Sequence, residues 1–314
     1  MIAVNPVSAD HSNLNERPDT HRETSVRTMQ WLTSLPSPST GVLEVGPLNL
    51  SAYGFVIALG AIAGTWLLGR RLEQRGWGTK DDASAIAMVA VPAGVVGARL
   101  YHVITDWERF DGRPIDALKI WQGGLGIWGG VVVGVLAGLW VAKRRGLDVA
   151  NTFTAVAPAL PLAQAIGRWG NWFNQELFGR PTTLPWGLEI DAKHIPDGYE
   201  LGTLFHPTFL YESLGNLVLV VLLLQIERRR NLRPGMLFLC YTAGYTLLRF
   251  FVEGLRIDPA KSAGGLRLNQ WTSLAVFTTS VVLLIVMGRK KAVTQSAVTQ
   301  STADAQPTLP EQSE

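Results

Sequence analysis

Seven stretches of the chain are apolar along most of their length: Leu48–Leu68, Ala83–Thr105, Gly123–Ala142, Ala150–Arg168, Pro207–Ile226, Gly235–Phe251 and Trp271–Met287. A helix needs about 20 mostly apolar residues to cross the hydrocarbon core of a bilayer. The last two stretches are close to the lower limit, so their ends are expected to reach a few residues further. The pattern predicts an all-α integral membrane protein with seven transmembrane helices. Residues 1–28 are polar, with no apolar centre, and read as neither a signal peptide nor a bundle helix. Met29 is an alternative start. Three parts are expected: a polar tail and pre-helix segment over 1–46, a membrane domain over 47–291, and a disordered cytoplasmic tail over 292–314, rich in Thr, Gln, Ser, Ala and Pro.

Charge orients the bundle. Basic groups follow helices one, three, five and seven: Arg70, Arg71, Arg75 and Lys80; Lys143, Arg144 and Arg145; Arg228, Arg229, Arg230 and Arg233; Arg289, Lys290 and Lys291. The opposite loops carry fewer, spread over longer stretches. By the positive-inside rule the N-terminus lies outside and the C-terminus in the cytoplasm. An even number of spans would put one basic cluster on the wrong side. No internal repeat supports an inverted-repeat transporter.

Composition sharpens the class. Of 314 residues, 17% are charged, against about a quarter in soluble domains. The single cysteine, Cys240, excludes an intrachain disulfide and a cysteine-ligated metal, and the five histidines lack ligand spacing. Neither residue type offers a metal site.

Charged side chains inside a bilayer cost about 2.5–3.5 kcal/mol each on insertion scales. Here they recur at one depth: Arg99 and His102 late in helix two, Arg168 at the end of helix four, Glu212 early in helix five, Arg249 and Glu253 closing helix six. Alternating helix direction brings these to the outer side and leaves a mostly apolar inner half. Arg249 and Glu253, four apart, share a helix face and can pair. Arg99 could instead extend its guanidinium to the interface.

Within Gly167-Arg168-Trp169-Gly170-Asn171-Trp172-Phe173-Asn174-Gln175-Glu176, the residues Arg168, Asn171 and Asn174 face one way if the helix continues. Gly167 and Gly170 would let a headgroup approach the backbone beside Arg168. Arg supplies a fixed fork of donors matching phosphate oxygens, and Asn can bond neutral hydroxyls. The array has the chemistry of a phospholipid headgroup site. The Gly-rich run Gly123–Gly130 permits either close helix packing or a re-entrant start that admits a lipid. His206, before Pro207 and Thr208, is a candidate general base or a hydrated interfacial residue.

These residues resemble the bacterial prolipoprotein diacylglyceryl transferases. Gly167-Arg168-x-Gly170-Asn171-x-x-Asn174-x-Glu176-x-x-Gly179-Arg180 is similar to the family signature G-R-x-G-N-F-x-N-x-E-x-x-G, with Trp172 replacing the usual Phe. Tyr53-Gly54, Gly97-Ala98-Arg99-Leu100, Trp121-Gln122-Gly123-Gly124-Leu125, His206-Pro207-Thr208-x-Leu210-Tyr211-Glu212 and Arg249-Phe250-x-x-Glu253 also match, in family order. Pro36-Ser37-Pro38-Ser39 resembles the actinobacterial branch.

The resemblance implies transfer of a diacylglyceryl group from phosphatidylglycerol to the lipobox cysteine of a prolipoprotein signal peptide. A thioether forms and sn-glycerol 1-phosphate leaves. It implies a multi-pass protein of the bacterial inner membrane, its site towards the outer leaflet, with no cofactor or metal. The expected partners are phosphatidylglycerol, prolipoproteins and membrane lipids, and no nucleic acid.

It also implies roles. Arg168 and Arg249 would bind the phosphate and stabilise its growing charge. Asn171 and Asn174 would orient the headgroup glycerol, with Arg99 and Gly179 also at the lipid. Glu176 and Glu253 would hold the two arginines, or one would take the thiol proton. Tyr53 would touch the lipid or bond within the site. Many family members carry His-Gly-Gly where this chain has Trp128-Gly129-Gly130, and Trp cannot accept that proton. The base is then His206, a Glu or dispensable, or neighbouring Arg lowers the thiol pKa. The competing reading is a non-catalytic lipid-binding or transport protein built on the same outer polar cluster.

Overall fold

The computed structural model describes residues 34–45, 48–119 and 124–304. Met29, the N-terminal tail before residue 34 and the Trp121-Gln122-Gly123 match lie outside these residues. Seven helices are long and apolar enough to cross a membrane: Ala52–Arg75, Lys80–Thr105, Ile127–Arg144, Val149–Phe173, Thr208–Arg229, Met236–Leu255 and Leu268–Arg289. Large apolar side chains such as Met88, Ile104, Val132 and Val282 are exposed on their outer faces. That is where lipid replaces water.

We label the helices α1 (Ala52–Arg75), α2 (Lys80–Thr105), α3 (Ile127–Arg144), α4 (Val149–Val156), α5 (Ala159–Gly167), α6 (Trp169–Phe173), α7 (Thr208–Arg229), α8 (Met236–Leu255) and α9 (Leu268–Asp304). The strands are β1 (Ser34–Leu35), β2 (Val42–Val45), β3 (Leu48–Ser51), β4 (Gly187–Glu189), β5 (Leu204–Phe205), β6 (Ser262–Ala263) and β7 (Leu266–Arg267).

Several boundaries differ from the apolar pattern for local reasons. The first helix starts at Ala52 rather than Leu48, because Leu48–Ser51 pairs antiparallel with Val42–Val45. It then runs on through Arg70, Arg71 and Arg75 to a left-handed cap at Gly76 (φ 64°). The second begins at a Thr79–Asp82 capping box. The third starts at Ile127, because Gly124 adopts φ 72° and breaks the helical path. The last helix continues to Asp304, into the stretch expected to be disordered.

Glycine sets the tightest helix contacts. A Cβ on Gly129 would lie 2.2 Å from the Gly97 carbonyl oxygen, and one on Gly97 2.5 Å from that of Gly129. The Gly-rich start of α3 therefore serves close packing on α2. Gly60 of α1 is similarly pressed against α5, where a Cβ would lie 2.7 Å from the Ala163 carbonyl oxygen.

The fourth span is three helical pieces. Pro158 precedes α5, where its missing N–H costs nothing, and Arg168 sits at the joint between α5 and α6. The first break is braced at the end of the bundle where α1 and α7 finish. Arg71 donates to the Ala155 (2.9 Å) and Thr154 (3.2 Å) carbonyls and pairs with Glu227 (2.8 Å), which also meets Arg75 (2.9 Å). The guanidinium thereby satisfies carbonyls at the end of α4. This end of the bundle thus holds a charged pair among its apolar residues.

The opposite end carries a small cap. A three-stranded sheet, ordered β1-β4-β5, has β1 parallel and β5 antiparallel to β4. Phe178, Leu188, Ile190, Phe205 and Phe209 form its core. A β6-β7 hairpin lies between α8 and α9.

Candidate functional site

The polar residues under the cap form one network. Glu212, one turn into α7, is nearly fully buried (side chain 3% exposed) and takes two arginines. Nε of Arg168 lies 2.6 Å from one carboxylate oxygen, and Nη1 of Arg249 lies 2.5 Å from the other. Arg249 on α8 also pairs with Glu253 one turn later, at 2.6 Å. Glu253, 0% exposed, further meets Arg267 (2.9 Å), Arg256 (3.6 Å) and Asn269 Nδ2 (3.1 Å). Asp258 closes the network on Arg256 (2.7 Å) and Arg267 (2.9 Å). Buried charges need such pairing, because desolvation costs several kcal/mol per ion.

Charge balance is informative. Arg168, Arg249, Arg256 and Arg267 face Glu212, Glu253 and Asp258. Those three carboxylates leave one positive charge, which Glu176, joined to Arg168 through Asn171, balances; the match to a phosphate lies in the guanidinium donors and not in net charge. Each guanidinium has five N–H donors, more than the acceptors around Arg168 and Arg249 use.

The joint between α5 and α6 aims Arg168. Its Nη1 reaches Asn171 Oδ1 at 3.4 Å, and Tyr245 of α8 is an electrostatic neighbour. Asn171 Nδ2 donates to Glu176 Oε1 at 2.9 Å, and Asn174 Nδ2 does so at 3.4 Å. Arg168, Asn171, Asn174 and Glu176 therefore converge as expected, although the helix does not continue straight through them. Tyr53 stands beside them, with Glu176 and Arg168 as its electrostatic neighbours.

Several expectations need correction. Glu176 bonds the two asparagines rather than an arginine. The carboxylate holding Arg168 is Glu212, flagged in the sequence by its cost within an apolar helix but given no role. Gly170 does not open the backbone to a headgroup, because its missing Cβ makes room for the Tyr53 ring, 2.6 Å from that point. Gly167 faces Ile57. Gly179 is a packing residue: a Cβ there would lie 2.8 Å from His206 Cβ and 3.1 Å from the Leu255 oxygen.

Arg99 is buried and donates to the carbonyls of Ala117 (2.8 Å), Asp116 (2.7 Å) and Gly124 (3.1 Å). These bonds hold the loop between α2 and α3. His102 pairs there with Asp106 at 2.9 Å. His206 Nδ1 lies 3.0 Å from the Tyr211 hydroxyl, which also accepts from Trp186 Nε1 at 3.1 Å. Burial, and then the Arg180 charge, hold the His206 pKa below its ordinary value.

Two features had no signal in the spacing. Gln175 and Leu177, on either side of Glu176, adopt φ 50° and 60°. An apolar cavity of about 330 Å³ lies between α1, α5, α6 and α7, lined in part by Val56, Leu59, Ala165, Trp169 and Leu217. No group of three or more His, Cys, Asp or Glu among the described residues could hold a metal ion.

Comparison with known proteins adds a family. A family model described as prolipoprotein diacylglyceryl transferase matches residues 40–286. The chain is 51% identical over 263 residues to phosphatidylglycerol–prolipoprotein diacylglyceryl transferase 2 of Streptomyces coelicolor, covering 82% of each chain. It is 49% identical over 261 residues to phosphatidylglycerol–prolipoprotein diacylglyceryl transferase of Cutibacterium acnes, covering 82% of this chain and 88% of the relative. A similar relative from Streptomyces griseus is 46% identical over 262 residues, covering 82% and 79%.

Proposed function

The chain belongs to the prolipoprotein diacylglyceryl transferase family, and we propose that it moves the diacylglyceryl group of phosphatidylglycerol onto the lipobox cysteine of prolipoproteins. The observation that carries this reading is the pairing of Arg168 and Arg249, from different helices, on the single buried carboxylate of Glu212. Left to themselves, two guanidinium groups repel. Held side by side with donors to spare, they make a seat for one phosphate.

The phosphodiester binds at Arg168 and Arg249, and Asn171 and Asn174 orient the headgroup glycerol. The cysteine sulfur attacks the diacylglycerol carbon that carries the phosphate ester. The S–C bond forms as the C–O bond breaks, and the electron pair leaves on the oxygen of sn-glycerol 1-phosphate. Negative charge grows on that phosphate, so the arginines bind the transition state more tightly than the ground state. The thiol proton must go to an acceptor, and Trp128 offers none. Glu176 is best suited to take it, because its hydrogen bonds come from asparagine amides and not from a guanidinium. Glu253 and Glu212 hold arginines in place. Tyr53 packs beside Arg168, and the apolar cavity along α1 and α7 takes an acyl chain.

The basic residues at the ends of the first, third, fifth and seventh spans support an inner-membrane orientation with the N-terminus outside and the C-terminus in the cytoplasm. The site then opens towards the outer leaflet, where exported prolipoproteins present their cysteine. The purified protein, given phosphatidylglycerol and a lipobox peptide, tests the reading. Glycerol phosphate release is expected with the cysteine peptide and not with its Cys-to-Ser form. Release that ignores the peptide, or none at all, contradicts transfer.

A further inference from the structure

Resting on the reading of Asn171 and Glu176 as site residues, we infer that Gln175 and Asp191 form a clamp that positions the Glu176 carboxylate. Glu176 lies between two residues in left-handed backbone conformation, Gln175 (φ 50°) and Leu177 (φ 60°). A side chain other than glycine avoids this region, because its Cβ crowds the backbone carbonyl. Such conformations persist only where the surroundings enforce them.

The enforcing contacts are on Gln175. Its side chain is nearly fully buried, and its amide is bound on both sides. Nε2 donates to Asp191 Oδ2 at 2.7 Å and to the Pro38 carbonyl at 2.9 Å, and Oε1 accepts from the Asp191 backbone N–H at 2.8 Å. Pro38 belongs to the extended segment before β2, and Asp191 follows β4. Two segments distant in sequence therefore grip one residue. The neighbouring Trp172 is tied to the same extended segment through the Pro36 carbonyl at 3.0 Å.

The grip has a consequence at the site. The chain reverses after α6, and the Glu176 N–H returns to the Asn171 carbonyl at 3.1 Å. The Glu176 carboxylate then occupies Asn171 Nδ2, which turns Asn171 Oδ1 towards Arg168. Order passes from the clamp to Glu176, to the Asn171 amide, to the guanidinium. Without the clamp, residues 175 and 177 relax to ordinary backbone and the carboxylate swings away. Gln175 and Asp191 are thus positioning residues. They touch no reacting atom.

The test uses the full chain in detergent with phosphatidylglycerol and a lipobox peptide. Gln175→Gly keeps the backbone conformation free of strain but removes the amide. It is expected to lower kcat roughly tenfold, with KM for the lipid within about threefold and melting temperature little changed. Gln175→Glu opposes two carboxylates and falls further. Asp191→Asn alone keeps an acceptor and stays near wild type, and in the Gln175→Glu background it supplies a donor and restores much of the rate. If Gln175→Gly does not fold, the Gln175→Glu loss and its rescue decide the matter. Wild-type kcat in Gln175→Gly, or no rescue of Gln175→Glu, overturns the clamp. If this occurs while Glu176→Gln is impaired, the clamp alone is wrong. If Glu176→Gln also runs at the wild-type rate, the reading of Glu176 itself is at fault.

Discussion

Arg168 and Arg249 meet on opposite oxygens of one carboxylate, Glu212, although one sits at a helix joint and the other inside α8. Removing that carboxylate leaves two buried guanidinium groups facing each other. Breaking one side of a buried pair typically costs about 3–5 kcal/mol. Glu212→Gln is expected to lower the melting temperature and to reduce kcat/KM roughly a hundredfold. Thermal melts and glycerol phosphate release measure the two effects together.

The ion pair far from the site separates stability from chemistry. Arg71 and Glu227 are buried at the end of the bundle opposite to the site. Arg71→Ala leaves Glu227 paired with the half-exposed Arg75 and strands the Thr154 and Ala155 carbonyls, and is expected to destabilise by about 1–3 kcal/mol. The kcat of the folded fraction stays within about threefold of wild type, since no contact with the arginine site is lost. Melting curves alongside active-site-normalised rates check this.

His206 sets a pH dependence. Its folded-state pKa lies below the ordinary value because of burial first and Arg180 second. Below about pH 6.5 the unfolded chain binds a proton that the folded chain resists. Its contribution to stability is therefore fully present above that pH and is lost as pH falls through the lowered folded value. The melting temperature of the wild type is expected to drop between neutral and mildly acidic pH, and that of His206→Gln to drop less. Because the ring is bound to Tyr211, kcat of His206→Gln at neutral pH is expected to stay within about tenfold of wild type.

The apolar cavity gives a chain-length test. Leu217 lines it on α7. Leu217→Trp narrows it and is expected to raise KM for long-chain phosphatidylglycerol by about tenfold, with little change for short chains, in line with roughly 0.8 kcal/mol per buried CH₂. Initial rates over a series of acyl lengths measure the difference.

The seven spans were legible because bilayer thickness imposes a length on apolar runs, and that signal survives errors of several residues. Their ends were less so. Leu48–Ser51 is as apolar as a helix start but finds a strand partner, and nothing in composition distinguishes Gly124 as the residue that delays α3. Of the site, the Arg249–Glu253 pair followed from helical spacing alone. The convergence of Arg168, Asn171 and Glu176 was read correctly, but for a straight helix that the structure breaks at Arg168. The double duty of Glu212 depends on how α5, α7 and α8 pack, which spacing along one helix does not encode. Gly170 shows the opposite error: a missing side chain looks like room for a ligand until the Tyr53 ring is seen to fill it. Arg99 was singled out by the cost of its charge, and the structure puts it on the carbonyls of Asp116, Ala117 and Gly124.

The central claim is that Arg168 and Arg249 together grip the phosphate of the lipid through paired N–H donors. It is tested most directly by kcat/KM for phosphatidylglycerol in Arg168→Lys and Arg249→Lys, which keep the charge but lose the planar fork. Each is expected to fall at least about a hundredfold in folded protein. Retention of both variants within about threefold of wild type would contradict the account.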